Sequence, residues 1–188
     1  ISTNWVSGKE SLKVSGEGTL IPVDPLKPIF IVNRNRESQP TNGLVIEGLR
    51  IKGTIKLNGA HHTTIRDCRF MEQSEEPRTY GEPAITVFKS HDIILRDNHI
   101  FKRSTGILSH CPDCRFTGNI ITACSLGIES NSANCMIDNN RMFPFDATSP
   151  KTGTMQNCIY LGGLEKYLHN ISIRENNLGH PDGYAIVA

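Results

Sequence analysis

Ile93-Ile-Leu-Arg-Asp-Asn-His-Ile100 recurs along this chain in five further forms: Leu44-Val-Ile-Glu-Gly-Leu-Arg-Ile51, Thr63-Thr-Ile-Arg-Asp-Cys-Arg-Phe70, Cys114-Arg-Phe-Thr-Gly-Asn-Ile-Ile121, Cys135-Met-Ile-Asp-Asn-Asn-Arg-Met142 and Ile171-Ser-Ile-Arg-Glu-Asn-Asn-Leu178. Their last residues fall at 51, 70, 100, 121, 142 and 178, so the copies step by 19, 30, 21, 21 and 36 residues. A spacing that keeps returning to about twenty-one residues is the mark of one structural unit stacked on itself. Two insertions, near 71–82 and 143–156, account for the long steps. Both are rich in Pro, Gly, Ser, Thr and charged residues, the composition of surface loops.

Aligning the copies produces columns with physical meaning. Ile46, Ile65, Leu95, Phe116, Ile137 and Ile173 form one apolar stripe, and Ile51, Phe70, Ile100, Ile121, Met142 and Leu178 a second. Between them runs a column of Leu49, Cys68, Asn98, Asn119, Asn140 and Asn176. Four asparagines in succession predict a stacked turn, because Asn tolerates left-handed backbone and its amide can bond neighbours one repeat away. A third apolar stripe, Ile55, Ile85, Ile107, Ile128, Ile159 and Ile186, is preceded by Gly106 and Gly127 in two copies. Alternation around Ile55 and Leu57, and around Ile85 and Val87, predicts strands whose every second residue points inward. No stretch has the periodicity of an amphipathic helix.

Three short strands per period, stacked in register with about 4.8 Å per coil, describe an all-β, parallel β-helix of about seven coils. The pattern Ile-x-Ile-x-x-Asn-x-Ile followed by Gly-Ile resembles the right-handed parallel β-helix superfamily. That pectate-lyase-like fold is shared by polysaccharide lyases, some glycoside hydrolases and epimerases, and many phage tailspikes. The resemblance covers roughly residues 12–188, with Leu12-Lys-Val-Ser-Gly-Glu-Gly-Thr-Leu-Ile21 resembling a first coil. Its motifs are structural and name no chemistry.

Composition narrows the classes of partner. Twenty Lys and Arg stand against nineteen Asp and Glu, a formal charge of +1, so no electrostatic bias toward nucleic acid or membrane is expected. No run of eighteen apolar residues occurs, and Ile1-Ser-Thr-Asn-Trp-Val-Ser-Gly carries neither a Met start nor a signal-peptide core. Residues 1–188 are read as a single β-helix domain. The strand-like ending Tyr184-Ala-Ile-Val-Ala188 favours a fragment of a longer helix, or a subunit covered by a partner or by further coils.

Six cysteines admit three readings. Cys111-Pro-Asp-Cys114 has the Cys-x-x-Cys spacing of zinc and redox sites, and Cys114 and Cys135 share one repeat position where a disulfide would be in register. Their columns are otherwise apolar, which favours small core fillers. His61-His62 sits in a turn with no third ligand in the repeat. No metal or other cofactor is expected. Arg66, Arg96 and Arg174, each followed by Asp67, Asp97 or Glu175, are read as a solvated charge ladder in preference to a patch for an acidic polymer.

Chemistry on such a fold must lie on outward positions. The resemblance implies a ligand groove on the sheet that carries the Gly-Ile phrase, whose outward row reads Lys56, Thr86, Leu108, Glu129, Tyr160 and Val187. A second row reads Asn58, Phe88, His110, Asn131 and Gly162, and loops bearing Glu72, Glu75, Glu76, Arg78, Tyr80, Asp146 and Lys151 would form its rim. A calcium-dependent lyase needs clustered carboxylates, and Glu129 stands alone in these rows. Glycoside hydrolysis needs two carboxyl groups about 5–9.5 Å apart, for which Glu129 would need a loop residue such as Asp146. A metal-free lyase or epimerase would instead use His110 or Tyr160 beside Glu129 as acid and base.

The candidate catalytic residues are therefore Glu129, His110 and Tyr160, with Lys56, Phe88, Asn131 and Asp146 as candidate substrate contacts. Three functions fit these expectations: a secreted or virion-surface polysaccharide-recognising module that binds a glycan with or without cleaving or modifying it, a trimeric tailspike-type fibre using Phe88, Leu108 and Tyr160 as contact row, and a structural or protein-binding rod with no site.

Overall fold

The structure, a computed structural model, describes residues 4–7, 13–21, 28–33, 41–71, 82–143, 155–162, 168–179 and 184–188. Every secondary-structure element among them is a β-strand. The strands form three parallel sheets, and the chain visits them in the same order in each coil.

Sheet I contains Asn4–Ser7, Phe30–Asn33, Ile55–Asn58, Ile85–Phe88, Thr105–Ser109, Leu126–Ser130, Asn157–Leu161 and Tyr184–Val187. Sheet II contains Lys13–Ser15, Val45–Glu47, Ala60–Arg66, His91–Arg96, Cys114–Thr117, Met136–Asp138 and Ser172–Arg174, with Thr41–Asn42 beside Ala60–Arg66. Sheet III contains Thr19–Leu20, Arg50–Ile51, Arg69–Phe70, His99–Phe101, Ile120–Thr122, Arg141–Phe143 and Asn177–Leu178. This is the parallel solenoid that the repeat predicts.

The three apolar stripes are the three inner faces. Ile85 pairs in register with Ile55 and Ile107, Leu95 with Ile65 and Phe116, and Ile100 with Phe70 and Ile121. All nine side chains are fully buried. Burying each such side chain stabilises by about 1.5–3 kcal/mol before chain entropy is set against it, and the stack repeats that gain coil after coil.

The asparagine column works differently from the expectation of a left-handed Asn. Left-handed backbone falls on the residue before each asparagine: Asp97 (φ 55°), Gly118 (φ 66°), Asn139 (φ 56°) and Glu175 (φ 53°). Asn98, Asn119 and Asn140 themselves are buried, and their side chains bond along the axis. Asn98 Nδ2 donates to Asn119 Oδ1, Asn119 Nδ2 to Asn140 Oδ1, and Asn140 Nδ2 to Asn176 Oδ1, each at 3.0 Å. Cys68 ends the column, its backbone N–H donating to Asn98 Oδ1 at 3.1 Å. A second left-handed column, His62, Asp92, Asp113, Asn134 and Asn170, marks the corner between sheets I and II.

The long step from Met142 to Leu178 holds two insertions, not one. Ile159 to Ile173 takes fourteen residues where Ile128 to Ile137 takes nine, so extra chain also leaves sheet I after Leu161. In chain order, residues 72–81 and 144–154 precede strands of sheet I and 163–167 follow one; all three segments lie outside the described residues.

All six cysteines are buried and free. Burial pushes the thiols of Cys68 and Cys158 up to about 11 and that of Cys124 to about 12, as expected of core fillers. The core also holds a fully buried Arg103, whose Nη2 donates to Gly53 O (3.0 Å) and Met71 O (2.5 Å). The charge ladder on sheet II is internally offset. Arg66 reaches Glu47 Oε2 through Nε (2.8 Å) and Nη2 (2.5 Å), Lys13 pairs with the same carboxylate, and Arg96 pairs with Asp97 at 2.7 Å. Lys13 and Arg66 together hold Glu47 below the usual carboxylate range.

Candidate functional site

Sheet I presents the two outward rows in the register read from the repeat. Thr86 lies between Lys56 and Leu108, Leu108 is followed by Glu129, Glu129 by Tyr160, and Tyr160 by Val187. The inner neighbours Ile107, Ile128 and Ile159 anchor these strands, so period-two alternation sends Leu108, Glu129 and Tyr160 outward.

Several candidate residues form one connected group. Asn131 Nδ2 contacts Glu129 Oε1 at 3.2 Å and lies 3.3 Å from Nε2 and 3.4 Å from Nδ1 of His110. The His110 ring stacks on Phe88, centroids 4.9 Å apart and planes inclined by 28°. The backbone fixes this second row: His110 N–H donates to Val87 O at 3.0 Å, and Asn131 N–H to Ser109 O at 2.9 Å. Tyr160 flanks Glu129 on the next strand. Phe88, His110, Asn131, Glu129 and Tyr160 therefore make a continuous strip across four coils.

Gly162 completes the strip by leaving space. A Cβ there would lie 2.4 Å from Asn131 Oδ1 and 2.6 Å from Tyr160 Cε1. Asn131 Oδ1 is buried, and no donor among the described residues reaches it. The amide is oriented by Glu129, because turning it over would set two oxygens, Asn131 Oδ1 and Glu129 Oε1, against each other.

Lys56 does not join the strip. It lies three coils from Glu129, about 14 Å along the axis at the strand spacing, and forms an ion pair with Glu82 at the rim of the sheet. Asp146 and the rim residues Glu72, Glu75, Glu76, Arg78, Tyr80 and Lys151 lie outside the described residues. Among the described residues the strip holds one carboxylate, an imidazole, a phenol and an amide. That set can hydrogen-bond hydroxyl groups and stack on an apolar ring face. The two carboxyl groups of a glycosidase are not both in it.

A second group was missed by sequence reasoning. His61 and His62 do have partners one coil on: His91 pairs in register with His61, and Asp92 follows it. Asp92 Oδ2 lies 2.9 Å from His91 Nδ1 and 3.3 Å from His62 Nδ1. The expectation that the His pair lacks a third ligand is corrected by this geometry. The repeat columns begin at Thr63 and Ile93, immediately after the two pairs, and extending them by two residues would have aligned His61-His62 with His91-Asp92.

A depression of about 330 Å³ opens on sheet II, lined by Asp92, Asp113, Arg115, Asn134, Met136 and Asn170 among others, away from the strip on sheet I.

Residues 31–178 match the family described as the right-handed beta helix region. The chain belongs to the right-handed β-helix family. No curated protein and no solved structure shows a significant match to it. Membership in this β-helix family specifies the coil and its handedness and leaves the chemistry to the residues on its faces.

Proposed function

We propose that this β-helix is a polysaccharide-recognising, pectate-lyase-like module that works outside a cell or on a virus particle, with the outward face of sheet I as the glycan groove. The observation that carries the reading is the strip itself, in which Asn131 bridges Glu129 and His110 while His110 is backed by Phe88. Sugars offer hydroxyl groups around their rims and apolar faces. A row of carboxylate, amide, imidazole and phenol next to an exposed aromatic ring matches both. Where the module acts on its glycan, Glu129 with His110 or Tyr160 supplies an acid and a base within one strip, suited to proton abstraction and return in a lyase or epimerase.

The alternative is a receptor-binding fibre module that trimerises without catalysis. It is favoured by the exposure of Phe88 on the same face, an apolar ring in contact with His110 yet open to solvent.

A glycan array probed with the wild-type chain and with Glu129→Gln tests both. Retained glycans should be followed for unsaturated uronates by absorbance and for new reducing ends. Binding with cleavage lost in the variant supports the catalytic module, and binding without cleavage supports the fibre. Absence of binding to any glycan sinks the proposal and leaves a structural or protein-binding rod.

A further inference from the structure

We infer that His62, His91 and Asp92 form a binding site for a divalent first-row transition cation of the zinc class, linking two adjacent coils at the corner between sheets I and II. The candidate donors are His62 Nδ1, His91 Nδ1 and Asp92 Oδ2, and one donor atom from each residue lies within 4.8 Å of the other two. An ion bonded at about 2.0–2.1 Å to tetrahedrally placed ligands holds their donor atoms about 3.3 Å apart. The observed separations of 3.3 Å from His62 to Asp92 and 2.9 Å from His91 to Asp92 are already close to that figure. His62 is exposed, so a small rotation of its side chain closes the remaining edge.

The group is held in place by stacking and hydrogen bonding between the two adjacent coils. The ring of His91 stacks on His61 at 3.8 Å with planes only 14° apart, and His91 N–H donates to His61 Nδ1 at 3.2 Å. His61 is thus a positioning residue for His91. His62 and Asp92 both occupy the left-handed corner position, at φ 49° and 53°, that Asp113, Asn134 and Asn170 take on the following coils, so the corner backbone places them one above the other. On the next coil Asp113 occupies the equivalent position, but its Oδ1 accepts from Asn134 Nδ2 at 2.9 Å and continues the corner ladder. The cluster is therefore confined to the one place where two histidines meet the Asp column.

Donor chemistry selects the cation. Two imidazoles and one carboxylate suit zinc, copper(II), nickel or cobalt, whereas calcium and magnesium need more oxygen ligands. With three protein ligands, the fourth position faces solvent and would carry water or an exogenous group. Binding requires the His91 proton to reside on Nε2, freeing Nδ1 for the metal.

The test uses untagged protein stripped with EDTA and titrated with Zn(II) by calorimetry and Co(II) by visible absorption. The expected result is one equivalent bound, a Tm that rises with zinc, and a cobalt spectrum without an intense thiolate charge-transfer band. His62→Ala and Asp92→Asn should each weaken binding by at least about tenfold, while His169→Ala leaves it unchanged. Both test variants alter exposed side chains, Asn is at ease in left-handed backbone, and Ala123 already adopts it in this chain at φ 53°, so neither threatens folding. Absence of saturable one-equivalent binding, affinity unaltered in His62→Ala, or a thiolate band showing that cysteines hold the metal, would each overturn the inference.

Discussion

Asn119 Oδ1 accepts two hydrogen bonds from one neighbour, 3.1 Å from the backbone N–H of Asn98 and 3.0 Å from its Nδ2. The same side chain donates through Nδ2 to Leu95 O at 2.9 Å and to Asn140 Oδ1 at 3.0 Å. One buried amide thus satisfies a backbone donor and a backbone acceptor that the corner would otherwise leave bare. Replacing it with Ala removes all of these partners at once. Asn119→Ala should lower unfolding stability by roughly 2–4 kcal/mol, because each orphaned buried group costs about 1–3 kcal/mol. Asn176→Ala, at the half-buried end of the ladder, should cost visibly less. Equal urea midpoints for the two variants would show that the ladder does not stabilise as a continuous stack.

Gly127 is required by close approach of the next coil. A Cβ there would lie 2.3 Å from Cys158 O and 2.7 Å from Met142 Sδ. Backbone oxygen cannot move aside cheaply, so Gly127→Ala should destabilise by about 3 kcal/mol or more, or prevent folding. Gly18→Ala, where nothing lies within 4 Å of the added carbon, should leave the thermal midpoint unchanged within error.

Stability should decline in alkali because of the buried thiols. Their folded values, about 11 for Cys68 and Cys158 and about 12 for Cys124, exceed the value of about 8.5 expected in the unfolded chain. A group raised in this way contributes fully below its unfolded value, and the contribution is lost as pH climbs toward the folded value. In the Cys114–Cys135 pair the effects oppose: donation from the Cys114 thiol and the Ser130 hydroxyl favours the Cys135 thiolate, and Cys114 is held protonated. The upward shifts outnumber the downward one. Urea midpoints should therefore fall steadily between about pH 8.5 and about pH 12, and a flat profile would contradict the burial of these thiols.

Gly162→Ala should separate the strip from the fold. Its Cβ would crowd Asn131 Oδ1 at 2.4 Å, pushing the amide away from Glu129 and His110. For any glycan retained by the wild-type chain, Gly162→Ala and Asn131→Ala should both weaken retention by roughly tenfold, about what losing one hydrogen bond to a charged group costs. Their thermal midpoints serve as the control. Undiminished retention in both variants would remove Asn131 from the groove.

The coil was legible because its determinants repeat. Ile55, Ile85, Ile107, Ile128, Ile159 and Ile186 recur at one position, and their in-register pairing follows from that recurrence. The outward rows follow from the same alternation, which is why Phe88, His110, Asn131, Glu129 and Tyr160 lie together. Features set by a single coil were not legible. Nothing periodic marks Arg103, whose partners Gly53 and Met71 lie 50 and 32 residues earlier in the chain. Nor does the spacing reveal that the residue before each ladder asparagine takes the left-handed turn, because Asp97, Gly118, Asn139 and Glu175 share a backbone conformation without sharing a side chain.

The two sides of sheet I treat repetition in opposite ways. Its inner row is isoleucine at six successive coils, while the outer row on the same strands reads Lys56, Thr86, Leu108, Glu129, Tyr160 and Val187, with no residue used twice. The coil therefore works as a ruler with evenly spaced but individually distinct marks, about 4.8 Å apart. An extended chain lying along such a ruler meets a different neighbour at each step. Such a chain would match in one direction and one register only, so under the proposed function the polarity of a bound polymer would be decided by the order of side chains along the axis, with no asymmetry demanded of the scaffold beneath.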